Sequence, residues 1–284
     1  MFNYLRNIRH NNRTKNFFIW NYLGLIYRLI ITWIPFNFSI KQNITPKFTF
    51  HLHARFAFSN FREWGNKHNN FFNTYISKAN KIKCFFDVGS HIGIVTLPLA
   101  RTIRSGGKIY AFEPSKNNLF YLKYHLKKNN IENVKIIDKL VTSKNDLNSF
   151  FYESGVPTGM NSVIPIKEKK ILNLTNVESI TLDEFCFKNK VKPDYIKVDV
   201  EGSEVDLLKG SKRIMKKYHP TFFLSYHPSH IQKLGYTEKD LFKILKNFNY
   251  KIYDNNLKEP KKLRSLEYLI LPEKVNPRKF LNVN

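Results

Sequence analysis

The stretch CFFDVGSHIGIVTLPLA, residues 84–100, decides the fold. An apolar run closing on an acid, Asp87, leads into a loop with glycines at Gly89 and Gly93, and then into a second apolar run of helical spacing. Strand, glycine turn and helix in that order build the first loop of a nucleotide-like site in α/β proteins. A dinucleotide loop needs G-x-G-x-x-G so that backbone amides can reach a pyrophosphate. Here the loop reads Gly89-Ser90-His91-Ile92-Gly93, and a carboxylate just ahead of it would repel a pyrophosphate. That carboxylate would instead attract the ammonium and polarised donors of a cofactor that carries an amino acid. Ser90 belongs to the loop, and His91 is read as contributing its backbone rather than a base.

Outward from this loop, strands are expected at 82–88, 108–114, 134–138, 194–200, 221–227, 250–253 and 267–271. Helices are expected at 96–104, 116–129, 203–217 and 237–248, with a looser β-like stretch over 147–182. Alternating strands and helices imply a parallel sheet with helices on both faces, and ligands of such sheets lie beyond the carboxyl ends of the strands. That edge collects Asp87, Glu113, Asp138, Asp199 and His227. Glu113, 24 residues past Gly89, is placed to accept hydrogen bonds from two ribose hydroxyls. Asp138 is placed either to hold an adenine or to form a strand-end turn. Three strand-end acids without a pyrophosphate loop point to S-adenosylmethionine, a cation with ribose and adenine but no phosphate.

A second signal is DYIKVDVEGSEVDLLKG, residues 194–210. Ser203 with Asp206 reads as a capping box, Glu204 as a first-turn acid and Gly210 as a C-terminal cap. Lys197, Asp199 and Glu201 are different: an apolar strand ends by presenting two carboxylates and an ammonium at the site edge, where desolvation tunes their pKa values. One carboxylate beside a methyl sulfonium can take the proton of an attacking hydroxyl.

Together, FFDVGSHIG, YAFEPS, SITLDEF, YIKVDVEGSEVDLLKG and FFLSYHP, in that order over about residues 83–255, resemble the FkbM family of S-adenosylmethionine-dependent methyltransferases. The resemblance implies a seven-stranded Rossmann-like sheet and methylation of hydroxyls on polyketides, sugars or glycan chains. It carries Asp87, Gly89 and Gly93 to the cofactor loop, Glu113 to the ribose acid, and Lys197, Asp199, Glu201 and Gly202 to the family signature. Two stretches depart from the family pattern. KLVTSKND stands where relatives have a small residue and an Asp, which leaves the adenine contact at Asp138 open. LSYH stands where relatives carry an acid, so Tyr226 and His227 are expected to shape the acceptor side. On this reading Asp199 is the base, with Glu201 or His227 assisting. A divalent ion bridging Asp199 and the acceptor is the alternative that insensitivity to chelators would remove.

The first 80 residues lie outside the resemblance. Residues 1–45 read as a basic segment, with Arg6, Arg9, Arg13 and Lys15, followed by an apolar helix within 17–36 whose narrow polar stripe runs Asn21, Gly24, Arg28, Thr32 and Pro35. An Arg near a helix centre costs roughly 2.5–3.5 kcal/mol on insertion and about ten Leu/Ile/Phe-type residues return roughly 0.3–0.6 each, so spanning is near balance. The open placements are a membrane surface, packing on the domain or a dimer mate, and a span. Residues 46–80 read as a β and helical extension: KFTFHLHARFAF alternates strictly and predicts a half-buried strand, followed by an Asn-rich helix. His51 and His53 share its polar face without a third ligand, so no metal is assigned to them. Residues 81–275 form the catalytic domain.

The chain of 284 residues carries 47 Lys and Arg against 22 Asp and Glu, a net charge of +25. The excess is scattered Lys without an aromatic-basic motif, so a solvated basic surface is expected rather than a nucleic-acid site. Cys84 and Cys186 stand alone, which fits a reducing compartment and a cytoplasmic enzyme at most peripheral to the membrane. The rival readings are an RNA 2′-O-methyltransferase, marked by steep salt dependence of RNA binding, and a membrane-associated scaffold that keeps the fold without the chemistry.

Overall fold

A computed structural model describes the chain except for residues 1–7, 10, 12–13, 15–16, 34–37, 62–63, 66–68, 155–156, 158–160, 164–171 and 283–284. The sequence readings at Arg6, Arg13, Lys15 and Pro35 lie outside the described residues. Helix α1 (Ile19–Trp33) is followed by the antiparallel hairpin β1 (Ser39–Ile44) and β2 (Phe48–His53). A short 3-10 turn (Ala54–Phe56) and helix α2 (Phe72–Lys78) lead to the first strand of the main sheet, β3 (Cys84–Val88). Then come α3 (Thr96–Thr102), β4 (Lys108–Phe112), α4 (Lys116–Lys128), β5 (Val134–Ile137), β6 (Leu140–Val141), β7 (Asp146–Ser154) and β8 (Leu172–Ile180). The remainder is α5 (Leu182–Asn189), β9 (Tyr195–Val198), α6 (Glu204–Lys209), α7 (Lys212–Tyr218), β10 (Thr221–Ser225), α8 (Pro228–Lys233), α9 (Glu238–Asn247), β11 (Tyr250–Tyr253), β12 (Glu267–Pro272) and α10 (Pro277–Leu281).

The seven-stranded sheet runs β11-β12-β10-β9-β3-β4-β5, parallel except for β12, which is antiparallel to both neighbours. All five residues of β3 are buried, as a central strand covered by helices on both faces requires. The two-residue period sends Phe86 and Phe222 into one apolar cluster, and Phe85 and Phe223 into the other. The second cluster also contains Ile44, Phe50, Leu52, Phe72 and Tyr75, so the extension ahead of β3 shares its core with the sheet.

Several expectations change in the structure. The alternating stretch 47–58 is a strand only to His53, where the chain turns into the 3-10 segment with Ala54 and Phe56 buried. The single helix over 203–217 is two, α6 and α7, broken at Gly210 and Ser211, and Ser203 makes no side-chain cap. The loose stretch becomes a separate three-stranded sheet, β6-β8-β7. Helix α8, started by Pro228 immediately after His227, was not expected from the apolar pattern.

Helix α1 docks through Gly24, which is buried, and through Tyr27, whose hydroxyl donates to Ala54 O at 2.8 Å and whose ring packs edge-on against Phe58. Of the stripe only Gly24 is described in its surroundings, and it faces the body, while Phe18, Ile19, Tyr22, Leu23, Leu25 and Ile26 are exposed. Among the described residues no helix is long and apolar enough to cross a membrane.

Candidate active site

A cavity of about 360 Å³ opens beyond the carboxyl ends of β3, β4, β9 and β10, within the range of roughly 300–1,000 Å³ usual for small-molecule sites. At one end lie Gly89, Ser90, His91, Glu113, Pro114, Leu140 and Val141; at the other lie Asp199, Glu201, Tyr226, His227 and Glu267.

The loop that joins the two ends depends on Gly89. Its φ of +79° belongs to the region that glycine enters without cost, and an added Cβ would stand 1.9 Å from Asp199 O. Gly93, at φ +93°, leaves no room for a Cβ against Leu122 Cδ1 at 2.8 Å. It shapes the turn into α3 and is not part of the cavity wall. Ser90 is buried, with its N–H and hydroxyl both directed to Phe112 O. His91 donates its backbone N–H to Glu113 Oε2 at 2.7 Å. Its imidazole is driven down to about 4 by burial and by Lys197, so the ring is neutral.

Glu113 is the buried acid of the cofactor end. Oε1 accepts from Ser115 N and Asn118 Nδ2, both at 3.1 Å. Burial lifts the carboxyl to about 7 against those hydrogen bonds. Each carboxylate oxygen can take two donors, so Oε2 keeps an acceptor position beside the cavity.

Besides Gly93, two expected cofactor residues sit outside the cavity wall. Asp87 lies inside β3 and is fully buried, accepting from Thr96 Oγ1 at 2.6 Å and pairing through Oδ1 with Lys197 Nζ at 3.3 Å; it does not line the cavity. Asp138, after edge strand β5, is exposed and also outside the wall, where Leu140 and Val141 supply an apolar surface instead. The wall there continues with Phe151 of β7 and with Asn161. The small sheet is tied in through Glu153, which accepts from Ser115 Oγ at 2.5 Å and Asn117 N at 3.1 Å at the start of α4.

Lys197 is 3 % exposed; it donates to Gly89 O at 2.9 Å and forms ion pairs with Asp87 Oδ1 at 3.3 Å and Asp199 Oδ2 at 3.7 Å. Burial opposes its charge, but Asp87 and Asp199 outweigh burial and hold it above the usual lysine range. It is a buried strut between the two halves of the site.

At the acceptor end Glu201 takes the left-handed backbone, φ +49°, which turns its carboxylate back to the cavity. Burial raises it to about 7. His227 Nε2 lies 3.7 Å from Asp199 Oδ1 and 3.7 Å from Glu201 Oε1, and Nδ1 is bound to Glu204 Oε1 at 2.5 Å. Burial opposes the imidazolium, but Glu204, Glu201 and Asp199 prevail and carry it to about 9. His230 Nδ1 stands 3.2 Å from the other oxygen of Glu201.

Sequence reasoning missed Glu204 and Glu267. Glu204 was read as a first-turn acid, yet it is wholly buried and holds His227. Glu267 reaches the edge because β12 runs backwards; it is 4 % exposed, accepts from Phe71 N at 2.6 Å and leaves Oε1 without a hydrogen-bond partner. Its neighbours in the wall, Trp64, Asn69 and Asn70, come from the extension.

A family profile described as methyltransferase FkbM domain matches residues 87–252, more than half of the chain. A search of curated proteins finds no match. Among solved structures, methyltransferase FkbM from Methylobacillus flagellatus KT is 16 % identical with a TM-score of 0.43; the alignment covers 77 % of this chain and 54 % of that one. Precorrin-6y C5,15-methyltransferase from Geobacter metallireducens GS-15 is 13 % identical, TM-score 0.39, over 71 % of this chain and 86 % of that one. TYW2 from M. jannaschii, in complex with AdoMet, is 13 % identical, TM-score 0.37, over 83 % and 84 %.

Proposed function

The chain belongs to the FkbM methyltransferase family, and from that premise we propose that it transfers the methyl group of S-adenosylmethionine to a hydroxyl of a sugar, glycan or related metabolite. The observation that supports this most is the single cavity with a glycine loop and a buried acid at one end and Asp199, Glu201 and His227 at the other. The residues fit the cofactor. Gly89 to His91 offer a loop whose close approach to Asp199 no side chain would permit, Glu113 Oε2 has an acceptor position for ribose hydroxyls, and Leu140, Val141 and Pro114 offer an apolar wall to adenine.

S-adenosylmethionine supplies an already activated methyl group, whose C–S electron pair leaves with the sulfur. What this chain supplies is placement and a proton acceptor. Orientation carries effective molarities of roughly 10⁵–10⁸ M, and a positioned base adds roughly 10²–10⁴-fold. Asp199 is the base: it is partly exposed at the cavity, with Oδ2 beside Lys197 and Oδ1 toward His227. Glu201 and His227 assist by holding the acceptor hydroxyl against it.

The test is calorimetric titration with S-adenosylmethionine, S-adenosylhomocysteine and NAD, followed by methyl transfer to a panel of glycan and lipid-linked sugar acceptors. Binding of both adenosyl ligands, with transfer lost in Asp199→Asn, supports the reading. Binding of NAD alone overturns it, and full activity in both Asp199→Asn and His227→Ala overturns the base assignment.

The same reading places the exposed apolar flank of α1, from Phe18 to Ile26, on the cytoplasmic face of a membrane. A dimer mate is the other occupant of that flank. Co-sedimentation with anionic vesicles that Leu25→Glu abolishes would support the membrane; a concentration-dependent dimer without vesicle binding would replace it.

A further inference from the structure

We propose that Asp199, Glu201 and His227 form a divalent-cation site at the acceptor end of the cavity, with Glu204 as the residue that positions the imidazole. The proposal rests on reading that end as the acceptor's and adds what holds the hydroxyl there. Among the described residues these three are the one set whose ligand atoms all lie within 4.8 Å of one another. The two 3.7 Å separations from His227 Nε2 are too long for hydrogen bonds, so the three groups converge on a common point without bonding to each other. Ligands about 2.1 Å from one ion stand about 3.0–3.6 Å apart at angles of roughly 90–120°. A contraction of a few tenths of an ångström closes the two His227 separations, and about 1 Å at most closes that between Asp199 and Glu201.

The imidazole is positioned for this role, and a cation entering there takes the place of the Nε2 proton, which is released to solvent. A ligating histidine gives its other ring nitrogen to a carboxylate, which fixes tautomer and orientation. Here Nδ1 is held by Glu204, wholly buried, and Nε2 is turned toward Asp199 and Glu201. Glu204 Oε1 also accepts from Gly202 N at 3.2 Å, so the positioning carboxylate is itself fixed.

Charge points the same way. In a chain of net charge +25, this cavity end concentrates acids. Lys197 is paired with Asp87, which leaves Asp199, Glu201 and Glu204 around the imidazoles of His227 and His230, with Glu267 nine-tenths buried in the same wall and one of its oxygens unpartnered. Two carboxylates and one imidazole are a donor set for Mn²⁺, Fe²⁺ or Zn²⁺ rather than for a thiol-seeking metal. With three protein ligands, coordination positions remain for the acceptor. A hydroxyl bound there loses its proton more readily. The O–C bond forms as the C–S pair leaves with sulfur, and the proton passes to Asp199 Oδ2, the oxygen turned away from the cation and toward Lys197.

The probe is Mn²⁺ itself, followed by the loss of its free-ion electron paramagnetic resonance signal on addition of the full chain. S-adenosylhomocysteine binding is measured calorimetrically on the same samples. One Mn²⁺ per chain is expected. Asp199→Asn and His227→Ala should weaken it at least about tenfold, and Glu204→Gln about 10–100-fold, with S-adenosylhomocysteine affinity unchanged. Glu201→Gln, in a partly exposed side chain, serves if Glu204→Gln does not fold. A full free-ion signal with S-adenosylhomocysteine bound, or wild-type Mn²⁺ binding in His227→Ala, overturns the cation site alone. Loss of S-adenosylhomocysteine binding in the wild-type chain overturns the methyl-transfer premise beneath it.

Discussion

Replacing Lys197 by Met tests the strut that joins the two halves of the site. The ammonium is 3 % exposed and faces a carboxylate, Asp87, that is fully buried. Removing one partner of a buried ion pair leaves the other charge uncompensated, which costs roughly 3–5 kcal/mol. The hydrogen bond to Gly89 O disappears as well, a further loss of about 0.5–1.5 kcal/mol. For a domain of this size each kcal/mol moves Tm by about 2–4 °C, so Lys197→Met should melt about 7–26 °C lower. If the cost is chiefly the stranded charge, Asp87→Asn in the same chain should restore most of it. Asn keeps an oxygen for Thr96 Oγ1, and a neutral pair of similar volume is tolerated. The double variant should then lie within about 1–6 °C of wild type. Differential scanning fluorimetry of the four chains gives the cycle. Additive losses, with the double variant below either single one, would show that Asp87 does not depend on Lys197, and the strut argument would fail.

Three further outcomes are expected. Gly89→Ala would put a Cβ 1.9 Å from Asp199 O at φ +79°, so the loop and the end of β9 must separate, and S-adenosylhomocysteine binding should fall at least about a hundredfold in calorimetry; near-wild-type affinity would show that the loop does not hold the cofactor. Glu113 titrates at about 7 in the ligand-free chain, and only its ionised form can accept from both its protein donors and ribose hydroxyls; S-adenosylhomocysteine affinity should therefore rise as pH passes upward through 7 and level off, while Glu113→Gln should bind weakly at every pH. Burial holds His125 neutral down to about 4, where Nε2 accepts from His53 N and Nδ1 meets Ile92 O. The unfolded chain binds that proton near 6.5, so stability rises with pH between about 4 and 6.5; relative to His125→Gln, the wild-type Tm should fall as the solution is acidified across that window, and a constant difference would refute the assignment.

The parts of the fold that were legible in the sequence are those where period and punctuation agree. The β3 loop, β4, α4 and β9 lie within two residues of their expected bounds, because each apolar run is closed by a glycine, a proline or a capping residue such as Ser115. What was not legible depends on neighbours. Asp87 looks like a strand-end acid, but β3 is buried on both faces, so alternation carries no information on which side chains reach the cavity. Asp138 follows an edge strand, and the strand order that puts β5 at the margin is set by packing. Glu267 meets Asp199 and His227 in one cavity because β12 reverses direction, which no local pattern announces. Glu204 satisfies a helix-terminus rule so well that its second role, holding His227, was hidden behind the first.

The wall contributed by Trp64, Asn69 and Asn70, with Phe71 N fastened to Glu267, lies wholly ahead of the stretch that defines the family. The backbone of this wall is fixed by the core it shares with the sheet, through Phe71, Phe72 and Tyr75, whereas the polar side chains of Asn69 and Asn70 that face the cavity stand outside that core. Substitution at those two positions changes what the pocket admits while leaving the transfer machinery in place. A chain carrying Asn70→Ala would keep the shared core, the loop and the acids but open one side of the pocket. Its acceptor selectivity would loosen before its cofactor affinity did.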